Sequence, residues 1–245
     1  MTPFDHDTVT PYQQDKAKKE QVEEMFDNIA HRYDFLNRFL SAGFDQGWRK
    51  RAIKEMGKIK PKSILDVATG TADLAIAEAV LKPDKIVGVD LSKEMLAKGQ
   101  IKVEKRNLQQ LISLEQADAE NLPFDNNTFD AVSVAFGVRN FANLTKGLSE
   151  ILRVMRVGGK LAILEVSKPT VFPVKQVFGF YFKVILPFVG KNFSKDHRAY
   201  TYLPESVEAF PQGDSFLQIL QSVGFKNSKC TRLTFGICSM YIAEK

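Results

Sequence analysis

The sequence predicts a doubly wound α/β fold on a mostly parallel sheet, and three observations carry that prediction. After Pro61, short apolar runs alternate with amphipathic helical stretches, the rhythm of strands joined by helical crossovers. Residues 66–74 (DVATGTADL) place a turn of small residues between an apolar run and a helical one. That geometry presents backbone N–H groups and a helix start to a ligand. The next run, residues 85–90 (KIVGVD), ends on Asp90, twenty residues after Gly70. An acid at the end of the second strand is where such folds accept hydrogen bonds from ribose hydroxyls.

The elements follow in order. Residues 1–20 read as a charged lead-in. Apolar residues at Val22, Met25, Phe26, Ile29, Tyr33, Leu36 and Leu40 predict one amphipathic helix over 21–40, and a second is expected over 47–56. Strands are predicted at 63–68, 85–90, 112–116, 129–136 and 160–166. Helices are predicted at 72–81, from a Ser92 cap to about 109, at 142–155 closed by Gly158-Gly159, and at 215–223 stopped by Gly224. Residues 225–233 and 235–243 predict a hairpin joined at Thr234. The expected organisation is an N-terminal helical extension (1–60) and one α/β domain (61–245), interrupted by an aromatic-rich insert at 168–212. An excursion of that length in a compact sheet protein is usually a lid or a binding element.

Charge and composition narrow the class. The chain has 245 residues, 26% of them charged, and a net charge of +5. That is mild for a nucleic-acid binder, and no nucleic-acid partner is expected. Residues 168–202 hold six basic side chains and one acidic, so this stretch alone carries +5. No run of eighteen apolar residues predicts a spanning helix. The polar N-terminus does not read as a signal peptide. Cys230 and Cys238 form no C-x-x-C pair, which fits a reducing, cytoplasmic setting. His6, His31 and His197 form no triad or ligand cluster, and no metal site is expected.

The turn at 66–74 has Gly70 but not G-x-G-x-x-G, so a pyrophosphate cradle is missing. A sulfonium cofactor needs no such cradle, which favours S-adenosylmethionine over a nicotinamide dinucleotide. The polar stretch 118–124 after the third strand suits an adenine edge. Arg139 lies just beyond the fourth strand, where ligands of open α/β sheets sit.

Residues 66–74, 88–96 (GVDLSKEML), 118–130 and 154–164 (VMRVGGKLAIL) resemble the successive motifs of class I S-adenosylmethionine-dependent methyltransferases. Residues 25–48, 135–140 (AFGVRN), 164–169 (LEVSKP) and 200–206 (YTYLPES) resemble, more narrowly, the ubiquinone/menaquinone biosynthesis C-methyltransferase family. The resemblance implies a Rossmann-like, seven-stranded, mostly parallel sheet with a C-terminal antiparallel hairpin. It implies S-adenosylmethionine as methyl donor, contacted by Asp66, Gly70, Thr71, Asp90, Leu91, Asp118 and Ala119, with Tyr33 covering the pocket. A serine found in some members just before the FG pair is Ala135 here, so that side-chain bond is lost. The implied reaction transfers a methyl group to a ring carbon of a prenylated hydroquinone, demethylmenaquinol becoming menaquinol. The alternatives are the ubiquinone-pathway C-methylation and a non-catalytic methyltransferase-like binding module.

Within that frame Arg139 is the candidate for activating the substrate hydroxyl, by favouring the phenolate electrostatically rather than as a base. Asn140 is the candidate for orienting that hydroxyl, and Tyr200 and Tyr202 for lining the ring pocket. Lys175, Gly179 and Lys183 would share a face on a continuous helix and suit an anionic membrane surface. The expected partners are a prenylated naphthohydroquinone and a peripheral membrane contact at the inner face of the cell membrane, with a homodimer possible.

Overall fold

The computed structural model describes residues 5–12, 15–34, 38, 41, 43–185 and 197–245. One seven-stranded sheet organises them: β1 (Ser63–Val67), β2 (Lys85–Asp90), β3 (Ile112–Gln116), β4 (Phe129–Ala135), β5 (Met155–Val166), β6 (Lys226–Leu233) and β7 (Cys238–Glu244). The order is β3-β2-β1-β4-β5-β7-β6. β1 to β5 are parallel, and β7 runs antiparallel to both β5 and β6. The predicted strands and the terminal hairpin are therefore present.

The helices are α1 (Lys18–Ile29), α2 (Asp45–Met56), α3 (Asp73–Glu78), α4 (Lys93–Lys105), α5 (Leu144–Val154), α6 (Val174–Phe180), α7 (His197–Ala209) and α8 (Asp214–Val223). They cover both faces of the sheet. On one face α5 and α8 bury Leu148, Ile151, Phe216 and Leu220 against Leu65, Val132 and Ile163. On the other, α2, α3 and the Ala72 that precedes α3 bury Trp48, Met56, Ala72 and Ala75 against Ile64, Ile86 and Leu164. Strands buried on both faces explain why β1 and β4 are mostly apolar and do not alternate with a solvent-facing polar side.

Several boundaries differ from expectation. The helix expected over 21–40 ends as α1 at Ile29, passes through a 3₁₀ turn at Ala30–Arg32, and its continuation through Leu36 and Leu40 falls outside the described residues. α3 is only Asp73–Glu78, because Ala72 is left-handed (φ +63°) and Ala79–Leu81 tightens into a 3₁₀ turn. α4 ends at Lys105, short of 109. β5 starts at Met155, directly after α5, and absorbs Gly158-Gly159 into the strand, with a register shift against β4 where they sit. The helix predicted across Lys175, Gly179 and Lys183 is not continuous: α6 stops at Phe180 and a π-helical turn follows at Tyr181–Ile185. The one-face argument for both lysines is thereby lost, and the Lys183 side chain lies outside the described residues.

The register aligns Val67 with Val89 and with Val134, and Val134 with Ile163. The carboxyl ends of β1, β2, β4 and β5 thus meet along one edge of the sheet, and α1 crosses above it. Lys19 Nζ reaches Asp118 Oδ2 at 2.5 Å, and Ser92 Oγ donates to Asp27 Oδ1 at 2.5 Å.

Candidate active site

Three contiguous spaces open along this edge. The first is a cleft of about 60 Å³ lined by Tyr33, Gly70, Asp90, Leu91, Asp118, Ala119 and Asn140. Its floor is the turn after β1. Gly70 is left-handed (φ +56°), and its N–H donates to Asp90 Oδ2 at 2.8 Å. The Ser92 N–H donates to the other oxygen, Oδ1, at 2.9 Å. Asp90 is only half-buried, so lone pairs remain for ribose hydroxyls. Of the eight expected cofactor residues, six line this cleft together.

The other two stand elsewhere. Asp66 is 1% exposed and holds the turn from beneath. Its carboxylate accepts from Thr69 Oγ1 at 2.6 Å, Ser133 Oγ at 3.0 Å and the Ala75 N–H at 3.2 Å. It shapes the turn and, like Thr71, faces a recess beyond Gly70 rather than the cleft itself. Thr71 lines a smaller recess of about 20 Å³ beyond Gly70. Its hydroxyl donates to Asp34 Oδ1 at 2.5 Å and accepts from Lys102 Nζ at 2.9 Å.

Below the Asp66 turn lies Glu78, fully buried, with neither carboxyl oxygen hydrogen-bonded. Burial, together with the neighbouring Asp66 charge, pushes its carboxyl well above the ordinary range. Asp66 is also raised, chiefly by burial, against the pull of its three hydrogen bonds.

The third space is a cavity of about 390 Å³ with almost entirely apolar walls. α1 supplies Met25, Phe26 and Ile29, α6 supplies Val174, Val177 and Phe178, and α7 supplies Ala199, Tyr202 and Leu203. Val177 lines it yet is 66% exposed, so the cavity opens to the surface at α6. Phe26, Tyr33 and Phe136 are walls common to this cavity and the cofactor-side cleft.

Arg139 is one of the charged residues of that cavity, with Asp45 and Arg49. It follows a tight approach: a Cβ on Gly137 would lie 2.5 Å from the Ala68 Cβ, so only glycine lets this turn close on the one after β1. The 8%-exposed Arg139 donates from Nη1 to Glu165 Oε1 at 2.7 Å and to the Phe136 carbonyl at 2.6 Å. Burial works against its charge, but the Glu165 carboxylate together with the Tyr202 and Tyr33 phenols more than offsets that, and the guanidinium stays protonated. Its Nε is buried and has no hydrogen-bond partner. A buried unpaired donor costs about 1–3 kcal/mol, so it is poised for an acceptor that enters the cavity.

Tyr202 is 1% exposed, and its hydroxyl donates to Asn140 Oδ1 at 3.1 Å. Burial holds its phenol above the ordinary value. Asn140 therefore faces the cofactor-side cleft and reaches the cavity only through Tyr202. It is not a helix cap: α5 is capped by Asn143, whose side chain accepts from the Lys146 N–H at 2.9 Å. The Tyr200 side chain lies outside the described residues. His31 is exposed, and burial beside Lys18 pushes His6 down to about 3. Among the described residues no group of His, Cys, Asp or Glu is disposed to hold a metal ion.

Sequence reasoning missed Glu165 and Arg49. Glu165 stood inside the LEVSKP segment, and an acid interrupting an apolar strand was a signal of a buried partner. Arg49, on α2, gave no such signal.

Comparison with known proteins agrees with this geometry. Residues 14–245 match the model of the ubiE/COQ5 methyltransferase family. The chain is 47% identical over 99% of both lengths to a demethylmenaquinone methyltransferase of Bacteroides fragilis. It is 44% identical to a ubiquinone/menaquinone biosynthesis C-methyltransferase of Geotalea daltonii, covering 93% of this chain and 97% of that one. In fold it is similar to the crystal structure of a putative S-adenosylmethionine-dependent methyltransferase of Methanococcus maripaludis, with a TM-score of 0.61, 22% identity, and coverage of 96% and 97%. Sheet order, cleft and sequence agree, and the chain belongs to the ubiE/COQ5 methyltransferase family as an S-adenosylmethionine-dependent C-methyltransferase.

Proposed function

We propose that the chain methylates a ring carbon of a prenylated naphthohydroquinone, converting demethylmenaquinol to menaquinol. The observation that carries this is the buried, unpartnered Nε of Arg139 in an apolar cavity that shares walls with the cofactor-side cleft. The cleft residues fit S-adenosylmethionine: a left-handed Gly70 bares the turn, and Asp90 keeps acceptor capacity. When bound, that cofactor supplies an electrophilic methyl group.

The protein's part is to make the ring carbon nucleophilic. Arg139 remains charged, so it takes no proton; it lowers the energy of negative charge on the quinol oxygen that its Nε meets. Glu165 fixes the guanidinium plane through Nη1 and leaves Nε free. Apolar walls from α1, α6 and α7 exclude water and strengthen that interaction. Over the reaction a ring C–H becomes C–CH₃ and one proton is released.

The cavity's surface opening suits a long isoprenoid tail. Around it Val171, Phe172, Val177, Phe180 and Val184 are exposed, and Lys175 sits among them. This supports a peripheral membrane contact by α6, although no helix among the described residues is long and apolar enough to cross a bilayer. Lys175→Ala should weaken binding to anionic vesicles by roughly fivefold in a sedimentation assay. Unchanged binding would remove α6 from the contact.

The deciding experiment uses methyl-labelled cofactor with reduced naphthoquinols and mass spectrometry. Label on the naphthoquinol ring is expected. Transfer to methoxy-benzoquinols with none to the naphthoquinol would overturn the substrate assignment.

A further inference from the structure

The recess beyond Gly70 has a buried cation with no assigned task. Arg49, the fifth residue of α2, is 8% exposed and lines both this recess and the large cavity. Its Nη1 donates to Asp45 Oδ2 at 2.6 Å and stands 3.5 Å from Asp73 Oδ2. Its Nε is buried and has no hydrogen-bond partner. A guanidinium has five N–H donors in a planar fork, so the Asp45 contact leaves the Nε side able to take a second carboxylate.

The recess continues the cofactor-side cleft, sharing Tyr33, Ala68, Gly70, Ala135 and Phe136 with it. The order along the sheet edge is fixed by β3, β2 and β1. Asp118 and Ala119 stand at the β3 end, Asp90 at the β2 end, and the turn 68–72 follows at β1. A nucleoside held with its base at Asp118 and its ribose at Asp90 must send its 5′ substituent across Gly70 into this recess. For an adenosyl amino acid that substituent ends in an α-carboxylate. Lys19, the cation lining the cleft itself, lies at the opposite end, on Asp118. Arg49 is the cation lining the recess among the described residues.

We infer that Arg49 binds the α-carboxylate of the sulfonium cofactor. This rests on the S-adenosylmethionine reading of the cleft and adds the residue that distinguishes the amino acid end of the ligand. Charge-assisted bidentate bonding suits a carboxylate, and Asp45 on the far edge keeps the fork oriented while the site is empty of ligand charge.

The test is calorimetric titration of the full chain with S-adenosylmethionine and with its decarboxylated analogue, which keeps the nucleoside, sulfonium and amine. The wild-type chain should prefer the intact cofactor by roughly ten- to a hundredfold, the range for a hydrogen bond to a charged group. Arg49→Met should cut that preference to within about threefold, chiefly by losing affinity for the intact cofactor. Arg49→Lys, which keeps the charge and the fold, should retain part of it. A wild-type chain that binds both ligands equally overturns the assignment. So does an Arg49→Met or Arg49→Lys protein with undiminished preference, or one that loses naphthoquinol affinity alone. If wild-type protein binds neither ligand, the methyltransferase reading fails as well, which is a different and visible outcome.

Discussion

The cofactor-side cleft and the apolar cavity touch each other, yet they are built in opposite ways. The floor of the cleft is local: the turn after β1 and the ends of β2 and β3 form it, and backbone N–H groups from Gly70 and Ser92 set its acid, while α1 and the loop after β4 close it from above. The cavity is collected from afar. α1, α2, α6 and α7 provide its walls, and its key pair, Arg139 and Glu165, is 26 residues apart on different elements. A site held by neighbouring backbone is robust to single substitutions. A site held by one buried ion pair is not.

The largest expected effect tests that contrast directly. Glu165→Ala strands the Arg139 charge in the interior and should cost about 3–5 kcal/mol of stability in denaturant titration. Loss below about 1 kcal/mol, the range of an exposed pair, would show that the pair does not organise the cavity. Arg139→Ala should lower the single-turnover methyl-transfer rate by about 10²–10³ with S-adenosylmethionine affinity near wild type. Arg139→Lys should recover only part, since lysine lacks the planar fork. A near wild-type rate would dismiss Arg139. On the cleft side, Asp90→Ala should weaken cofactor binding by about 1.5–3 kcal/mol in calorimetry while the fold holds. Equal loss of stability and affinity would mean that Asp90 is a structural acid.

The last effect, read as a slope with pH rather than as a loss, concerns Glu78, beneath the cleft. Its folded-state affinity for a proton is raised above the ordinary value of 4.5. Above pH 4.5 the unfolded chain has released a proton that the folded chain still holds, so this group's contribution to stability falls as pH rises, by at most about 1.4 kcal/mol per unit. Glu78→Gln should flatten the melting temperature between pH 5 and pH 8 relative to wild type. An unchanged slope would assign the titration to another group.

The same contrast explains what could be read from the chain. Strand runs and the turn 66–74 are local patterns, so sheet, hairpin and six cofactor-side residues were legible. The structural part that Asp66 plays in the turn was not legible, because its motif position says nothing of the three donors that fold onto it from Thr69, Ala75 and Ser133. That Asn140 lines the cofactor-side cleft and accepts a hydrogen bond from Tyr202, on α7, was not legible, since the contact spans 62 residues. Arg49 stayed invisible because its partners and its recess come from three separate segments. The break between α6 and the following π turn left no mark in the apolar pattern, which continues through both.

Tyr33 and Phe136 wall all three spaces at once. Settling either ring against one occupant fixes a wall that the second occupant meets. Donor and acceptor are then thermodynamically linked: whatever factor the first confers on the second is returned in equal measure. In binding titrations this shows as an affinity for either ligand that depends on occupancy by the other, and replacing Tyr33 by a smaller side chain should lessen that dependence.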